Sequence, residues 1–184
     1  IRNFTINNDR FKDNQFNTSA ANDYICGLIP KLQKAIAEEV EASYFYMMTK
    51  YFLKGNESTT LQQLWDSYQI EEMQCHAREL FSRLNEIGST GGELFDFKCI
   101  DTLAVSNGHG WTFNGDMDTL NVLQTAINME ANSIETYKDL EVYTRGIDTI
   151  TNDLIKNMLK EEVKHLTSLR DIEKSFVQMT FQNL

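Results

Sequence analysis

Proline is nearly missing from this chain of 184 residues. Pro30 is the single one, against an average usage of about 5%, and so few breakers fit long uninterrupted helices. Cysteine is scarce as well. Cys26, Cys75 and Cys99 are odd in number and have no C-x-x-C spacing, so neither a disulfide framework nor a zinc finger is expected. No apolar run approaches the ~18 residues of a membrane span, and Ile1–Thr5 lacks a charged-then-apolar secretory pattern. The reading is a cytoplasmic protein with no membrane partner. Cations are outnumbered, 17 Lys and Arg against 27 Asp and Glu, for a net charge of −10. That balance argues against nucleic-acid binding, which is built on neutralising phosphates, and favours cations as ligands.

What remains is one all-α domain. Residues 1–23 are polar and asparagine-rich, with isolated Phe4, Phe11 and Phe16 and no helical period, and read as an extended N-terminal tail. The domain proper is 24–184. Its first helix is predicted from about Pro30, placed in the first turn where a missing N–H is harmless, to about Leu53. A second runs from about Ser58 to Ile87 and stops at the breakers Gly88-Ser89-Thr90-Gly91-Gly92. The third runs from about Asp116 to Arg145, and the fourth from about Thr149 to Gln178. Short links make the first and last pairs antiparallel. The segment between the second and third helices is long enough to cross the whole bundle, so the fold is a four-helix bundle with one long crossover.

Each predicted inner face carries a carboxylate where an apolar residue belongs. Glu39 lies amid Leu32, Ala35, Ile36, Ala42, Ser43 and Tyr46, and Glu130 amid Leu123, Ala126, Ile127, Ile134 and Tyr137. Glu162 and His165, neighbours at i,i+3, interrupt Ile155, Met158, Leu159, Leu166 and Leu169. In the second helix the stripe Leu61, Leu64, Trp65, Tyr68, Glu72 slips by about 100°, one residue, to Met73, His76, Leu80, Leu84, Ile87. A π-bulge between Glu72 and His76 restores the phase. Counted from the helix ends, Glu39 is level with Glu72 and Glu130 with Glu162. Four buried carboxylates demand protons or cations. Two divalent ions balance them, and a Glu from each of two helices plus Glu-x-x-His from the others suits iron, with manganese or zinc as alternatives.

Other residues are read as ordinary. Glu38 and Glu41 point away from the stripe, Glu135, Asp139 and Glu161 fall off the stripes as solvated charges, Glu79 and Glu141 line the bundle end or an entry path, with support of the ligands as the alternative, and His109 is a surface loop residue. Tyr46 and Tyr137 lie two turns beyond Glu39 and Glu130, where core packing is the default and a hydrogen bond to a ligand or a radical role the alternative. Cys75 is read as a buried, inert thiol, with a redox role as the alternative.

Leu32–Ala42 through Tyr46, Glu72-Met73-Gln74-Cys75-His76-Ala77 and Glu161-Glu162-Val163-Lys164-His165 resemble the first, second and fourth helices of bacterioferritin, within the ferritin superfamily. The resemblance implies Glu39 and His76 on one iron, Glu130 and His165 on the other, and Glu72 and Glu162 as bridges. It implies a ferroxidase, in which O2 or H2O2 oxidises Fe(II) for storage and detoxification in a homo-oligomeric shell. The chain stops soon after the fourth helix, which points to a Dps-like shell or none; the thioferritin group, with Cys75 and Cys99 as its paired cysteines, is a further home. Met73 stands where bacterioferritins carry a haem-ligating methionine, but the register slip argues against haem. The competing functions are a di-iron or di-manganese oxygenase, peroxidase or catalase-like enzyme, and a structural bundle that retains the site.

Overall fold

The computed structural model describes residues 18–54, 58–88 and 119–182. The crossover, His109, Cys99 and residues 1–17 of the expected tail lie outside the described residues. Four long helices make up the rest. Helix α1 spans Thr18–Thr49 and closes in a 3-10 turn, Lys50–Phe52. Helix α2 consists of Ser58–Glu71, a π-helical turn at Glu72–Ala77, and Arg78–Gly88. Helices α3, Thr119–Thr144, and α4, Thr149–Gln182, are joined by a tight turn in which Gly146 takes φ +73. That left-handed conformation is one a side chain would strain.

Contacts between helices fix the topology. Along α1 and α2, the Ser43 hydroxyl donates to the Gln69 carbonyl and the Trp65 indole N–H to Thr49 Oγ1, so rising numbers meet falling ones. Tyr24 meets Tyr143 and Lys34 meets Thr136 between α1 and α3; Arg83 meets Thr151 between α2 and α4. Each helix is therefore antiparallel to both neighbours. Gly88 belongs to the end where Arg83 meets α4, whereas Thr119 accepts the Lys54 backbone N–H at the other end. The two ends that this segment joins therefore lie at opposite ends of the bundle, as the sequence implies.

The start of α1 corrects one expectation. The helix begins at Thr18, not near Pro30, which sits inside it. Pro30 cannot donate to the Cys26 carbonyl, a loss normally large enough to end a helix. Here packing outweighs it. Leu28 and Leu32, on either side, are completely buried, each worth ~1.5–3 kcal/mol. One turn earlier, Tyr24 stacks on Tyr143, which donates its hydroxyl to the Tyr24 carbonyl. Gly27 permits this approach, since a Cβ there would come within 2.2 Å of the Tyr143 oxygen.

Asp148 ties the same end together. Its carboxylate caps α4 by accepting the Thr151 backbone N–H at 3.0 Å and hydroxyl at 2.6 Å, and takes Arg83 Nη2 at 2.9 Å. Burial opposes its ionisation, but the Thr151 and Arg83 bonds prevail and hold it below the ordinary carboxylate range. A depressed carboxylate stabilises the fold above its unfolded pKa, and that gain is lost as pH falls through the folded value. Asp148→Ala is expected to lose ~1–3 kcal/mol at neutral pH. In urea melts the gap between variant and wild type should shrink below about pH 4.

The interior divides in two. Leu28, Leu32, Ile36, Leu80, Leu84 and Ile155 fill an aliphatic end, and Phe45, Tyr46, Leu61, Trp65, Tyr68 and Leu123 fill an aromatic one. Between these halves lies a layer of buried carboxylates and imidazoles.

Candidate metal centre

All six residues singled out from the sequence meet in that layer. Glu39 from α1, Glu72 and His76 from α2, Glu130 from α3, and Glu162 and His165 from α4 are all buried. They form two overlapping groups, Glu39–Glu72–His76–Glu162 and Glu72–Glu130–Glu162–His165, each offering four ligand atoms within 4.8 Å of one another. Glu72 and Glu162 belong to both. The π-helical turn makes this possible in α2. It lies at Glu72–Ala77, where the phase slip predicts it, and keeps both Tyr68 and Leu80 in the core on its two sides.

The polar atoms converge on shared points rather than pairing with one another. His76 Nδ1 has Glu72 and Glu162 oxygens at 2.9 Å and a Glu39 oxygen at 3.3 Å, too many acceptors for one N–H. His165 Nδ1 faces Glu72, Glu130 and Glu162 at 3.3, 3.6 and 3.8 Å. Among the described residues, Glu72 Oε1, both Glu162 oxygens and His165 Nδ1 are buried without a properly aligned hydrogen bond. Such orphans are rare in folded interiors. The donor set fits two divalent cations, one per group, with Glu72 and Glu162 able to bridge.

Without cations, protons compensate the charge. Burial, then the charge of Glu39, pushes the Glu72 carboxyl up to about 8. Burial, Glu72 and Glu39 push Glu162 well above the carboxylate range. Burial alone would lower His165, but its bonds to Glu130 and Glu72 win and hold it up at about 10; His76 is raised in the same way by Glu162, Glu39 and Glu72. Glu39 goes the other way, because bonds from His76, Glu72 and Tyr137 outweigh its burial.

Two tyrosines do more than pack. Tyr46 donates its hydroxyl to Glu130, and Tyr137 donates to Glu39. Burial and the surrounding carboxylates push both phenols well above 10, so they stay protonated as donors. Glu130 and Glu39 are thus each oriented by a tyrosine from the neighbouring helix.

A family model, described as ferritin-like domain, matches residues 29–178. The chain belongs to the ferritin-like family. Its structure is similar to that of a dodecameric thioferritin, the bacterioferritin-related protein from Bacteroides fragilis, with a TM-score of 0.76 and 26% identity over 87% of this chain and 92% of that one. It is also similar to a ferritin-like diiron-carboxylate protein from Bacillus anthracis str. Ames, with a TM-score of 0.64 and 19% identity over 82% of this chain and 97% of that one. The second likeness speaks for the fold alone. No curated protein sequence matches the chain.

This ferritin-like site has an outer layer that the helix-by-helix reading misses. Glu161 is partly exposed, as a surface charge would be, but it also has a partner: its Oε2 accepts the His76 Nε2–H at 2.9 Å. Glu71 accepts His165 Nε2 at 3.2 Å. Each imidazole is held at its outer nitrogen by a carboxylate from the other motif helix, which leaves Nδ1 turned inward, where it could serve as a ligand atom. The signal was in the sequence as a Glu-Glu doublet ahead of both histidines, Glu71-Glu72 and Glu161-Glu162. Glu161→Gln and Glu71→Gln are each expected to weaken divalent-metal binding ~10–100-fold, measurable by competition with a chromophoric chelator.

Three further expectations change. Glu38 and Glu41, off the stripe that carries Glu39, are buried all the same, and Glu38 pairs with Lys34 at 3.5 Å. Cys75 is exposed rather than buried, because the residue beside an inward-facing His76 is rotated out of the interior. Glu79 is exposed, while Glu141 is partly buried and paired with Arg145. Among the described residues no helix is long and apolar enough to cross a membrane.

Proposed function

We propose that the protein is a ferroxidase, with Fe(II) as its substrate and O2 or H2O2 as the electron acceptor. The observation that carries this reading is the pair of four-ligand groups sharing Glu72 and Glu162. One Fe(II) is held by Glu39, Glu72, His76 and Glu162, the other by Glu72, Glu130, Glu162 and His165. Two Fe(II) bring four positive charges to four carboxylates, so the filled layer is neutral. Each Fe(II) gives one electron. Two electrons and two protons reduce O2 to H2O2, or H2O2 to two waters, and leave two Fe(III). Carboxylates suit the change in charge because they can shift between terminal and bridging modes. Tyr46 and Tyr137 restrain Glu130 and Glu39, while Glu72 and Glu162, without such donors, are the bridges.

We place this chemistry in a homo-oligomer that stores the Fe(III) product, in the cytoplasm, where the free thiols of Cys26 and Cys75 would stay reduced. Likeness to a protein described as dodecameric supports the assembly. The test is an anaerobic Fe(II) titration of the protein, sized by light scattering, followed by oxygen. Saturation at two irons per chain and continued uptake into a large particle is the expected result. Two irons with no further uptake in a small oligomer would instead indicate an enzyme acting on an organic substrate or on peroxide. No binding would overturn both.

A further inference from the structure

The two imidazoles of the layer meet the same carboxylates on different terms. His76 Nδ1 has closed to 2.9 Å on Glu72, the length of a charge-assisted hydrogen bond. His165 Nδ1 stands 3.3 Å from Glu72 and 3.6 Å from Glu130 and makes no aligned bond, although it is buried. A ring free to turn about its side-chain torsions would close that gap. His165 is held back.

Its surroundings supply the restraint. Tyr68 of α2 precedes Glu72 by one turn and belongs to the aromatic end, so it lies directly over the carboxylate layer. Its buried ring covers the face of His165, with centroids 4.1 Å apart and planes 31° from parallel. Glu71 fixes the outer edge of the same imidazole by accepting its Nε2–H at 3.2 Å. Tyr68 has little room to give way, because Tyr46 packs edge-on against it at 5.5 Å and Trp65 packs edge-on against Tyr46 at 5.2 Å. Tyr46 in turn donates to Glu130. His165 and Glu130 are the two members of their group that the other group does not share. Adjoining rings, Tyr68 and Tyr46, therefore join them into one frame.

We propose that Tyr68 is a positioning residue for one of the two cations: its ring holds His165 with Nδ1 open toward the cation position and ties that ligand to Glu130 through Tyr46. The proposal rests on the two-metal reading of the layer and makes its halves unequal. A cation entering the His76 group displaces the hydrogen bond between His76 and Glu72. One entering the His165 group finds Nδ1 unbonded and already set in place, so less ordering is left to the act of binding.

The test measures zinc affinity of the full chain by competition with a chelator. Glu39→Gln impairs the His76 group and leaves the His165 group to be read, whereas Glu130→Gln does the reverse, because neither carboxylate is shared. Tyr68→Leu should weaken zinc binding about ten-fold in the Glu39→Gln background and less than about three-fold in the Glu130→Gln background, the first being the loss expected of a residue that orients a ligand. Tyr68→Phe, which keeps the ring, should restore the first loss. Equal weakening in the two backgrounds, or no rescue by phenylalanine, would overturn the proposal. A further readout needs no variant at Tyr68 to fold. In metal-free protein with labelled histidine, the ring protons whose resonances vanish in His165→Gln should be shifted upfield by the Tyr68 face; unshifted resonances would also overturn the stack. Iron oxidation in the same preparations keeps the two readings apart. Zinc results as expected with no oxidation of Fe(II) would remove the ferroxidase reading and support the role of Tyr68, while normal oxidation with no selective loss would remove that role alone.

Discussion

Glu162→Gln is expected to abolish two-metal binding while making the metal-free bundle more stable. Both oxygens of Glu162 are buried without an aligned hydrogen bond, and the residue belongs to both four-ligand groups. Glutamine keeps the volume but cannot bring a negative charge to two cations. Substitutions one layer further out weaken metal sites by ~10–100-fold, so loss of a shared carboxylate should exceed about 100-fold at each position. Stability moves in the opposite direction. Burial, Glu72 and Glu39 all oppose the ionised Glu162, and a neutral side chain of the same shape removes that burden, worth ~1–3 kcal/mol in the metal-free protein. Cobalt titration measures the first effect and urea melts of chelator-treated protein the second. A variant that binds two ions normally, or that is less stable without metal, would contradict the shared role.

Trp65→Ala should be the most destabilising single change considered. The indole is fully buried, donates to Thr49 at 2.7 Å, and meets the Tyr46 ring edge-on at 5.2 Å. Truncating such a residue costs about 3–5 kcal/mol. The effect should also reach the metal centre unevenly. Tyr46 holds Glu130, whereas Glu39 is held by Tyr137 from the aliphatic end. Loss of the tryptophan should therefore weaken the group containing His165 more than the group containing His76. Two resolved steps in a zinc titration, where wild type shows steps closer together, would report that difference; equal weakening would argue that Trp65 supports the layer as a whole.

The helices and the six inward residues were legible for one reason. A glutamate or histidine on an apolar stripe is conspicuous within its own helix, and Glu39, Glu72, His76, Glu130, Glu162 and His165 each interrupt one. The one-residue phase slip was equally visible, since Tyr68 and Leu80 cannot share a face of an uninterrupted α-helix. Residues at the edge of a stripe were not legible. Glu161 and Glu71 have partners on another helix, and Glu38 is buried against α3; helical periodicity carries no information about what lies across an interface. Pro30 misled for a different reason. A local backbone penalty is read from sequence at once, while the burial of Leu28 and Leu32 that outweighs it depends on the assembled bundle.

The extra residue in α2 also decides what a deletion there would do. Removing one residue from Glu72–Ala77 would let the helix return to regular geometry with Tyr68 and Leu80 eleven positions apart, about 20° out of line, so Leu80, Leu84 and Ile87 would keep their places in the interior. What would change is the spacing that presents both Glu72 and His76 to the carboxylate layer. The turn is dispensable to the core packed behind it, and its cost is justified only by the polar layer it serves.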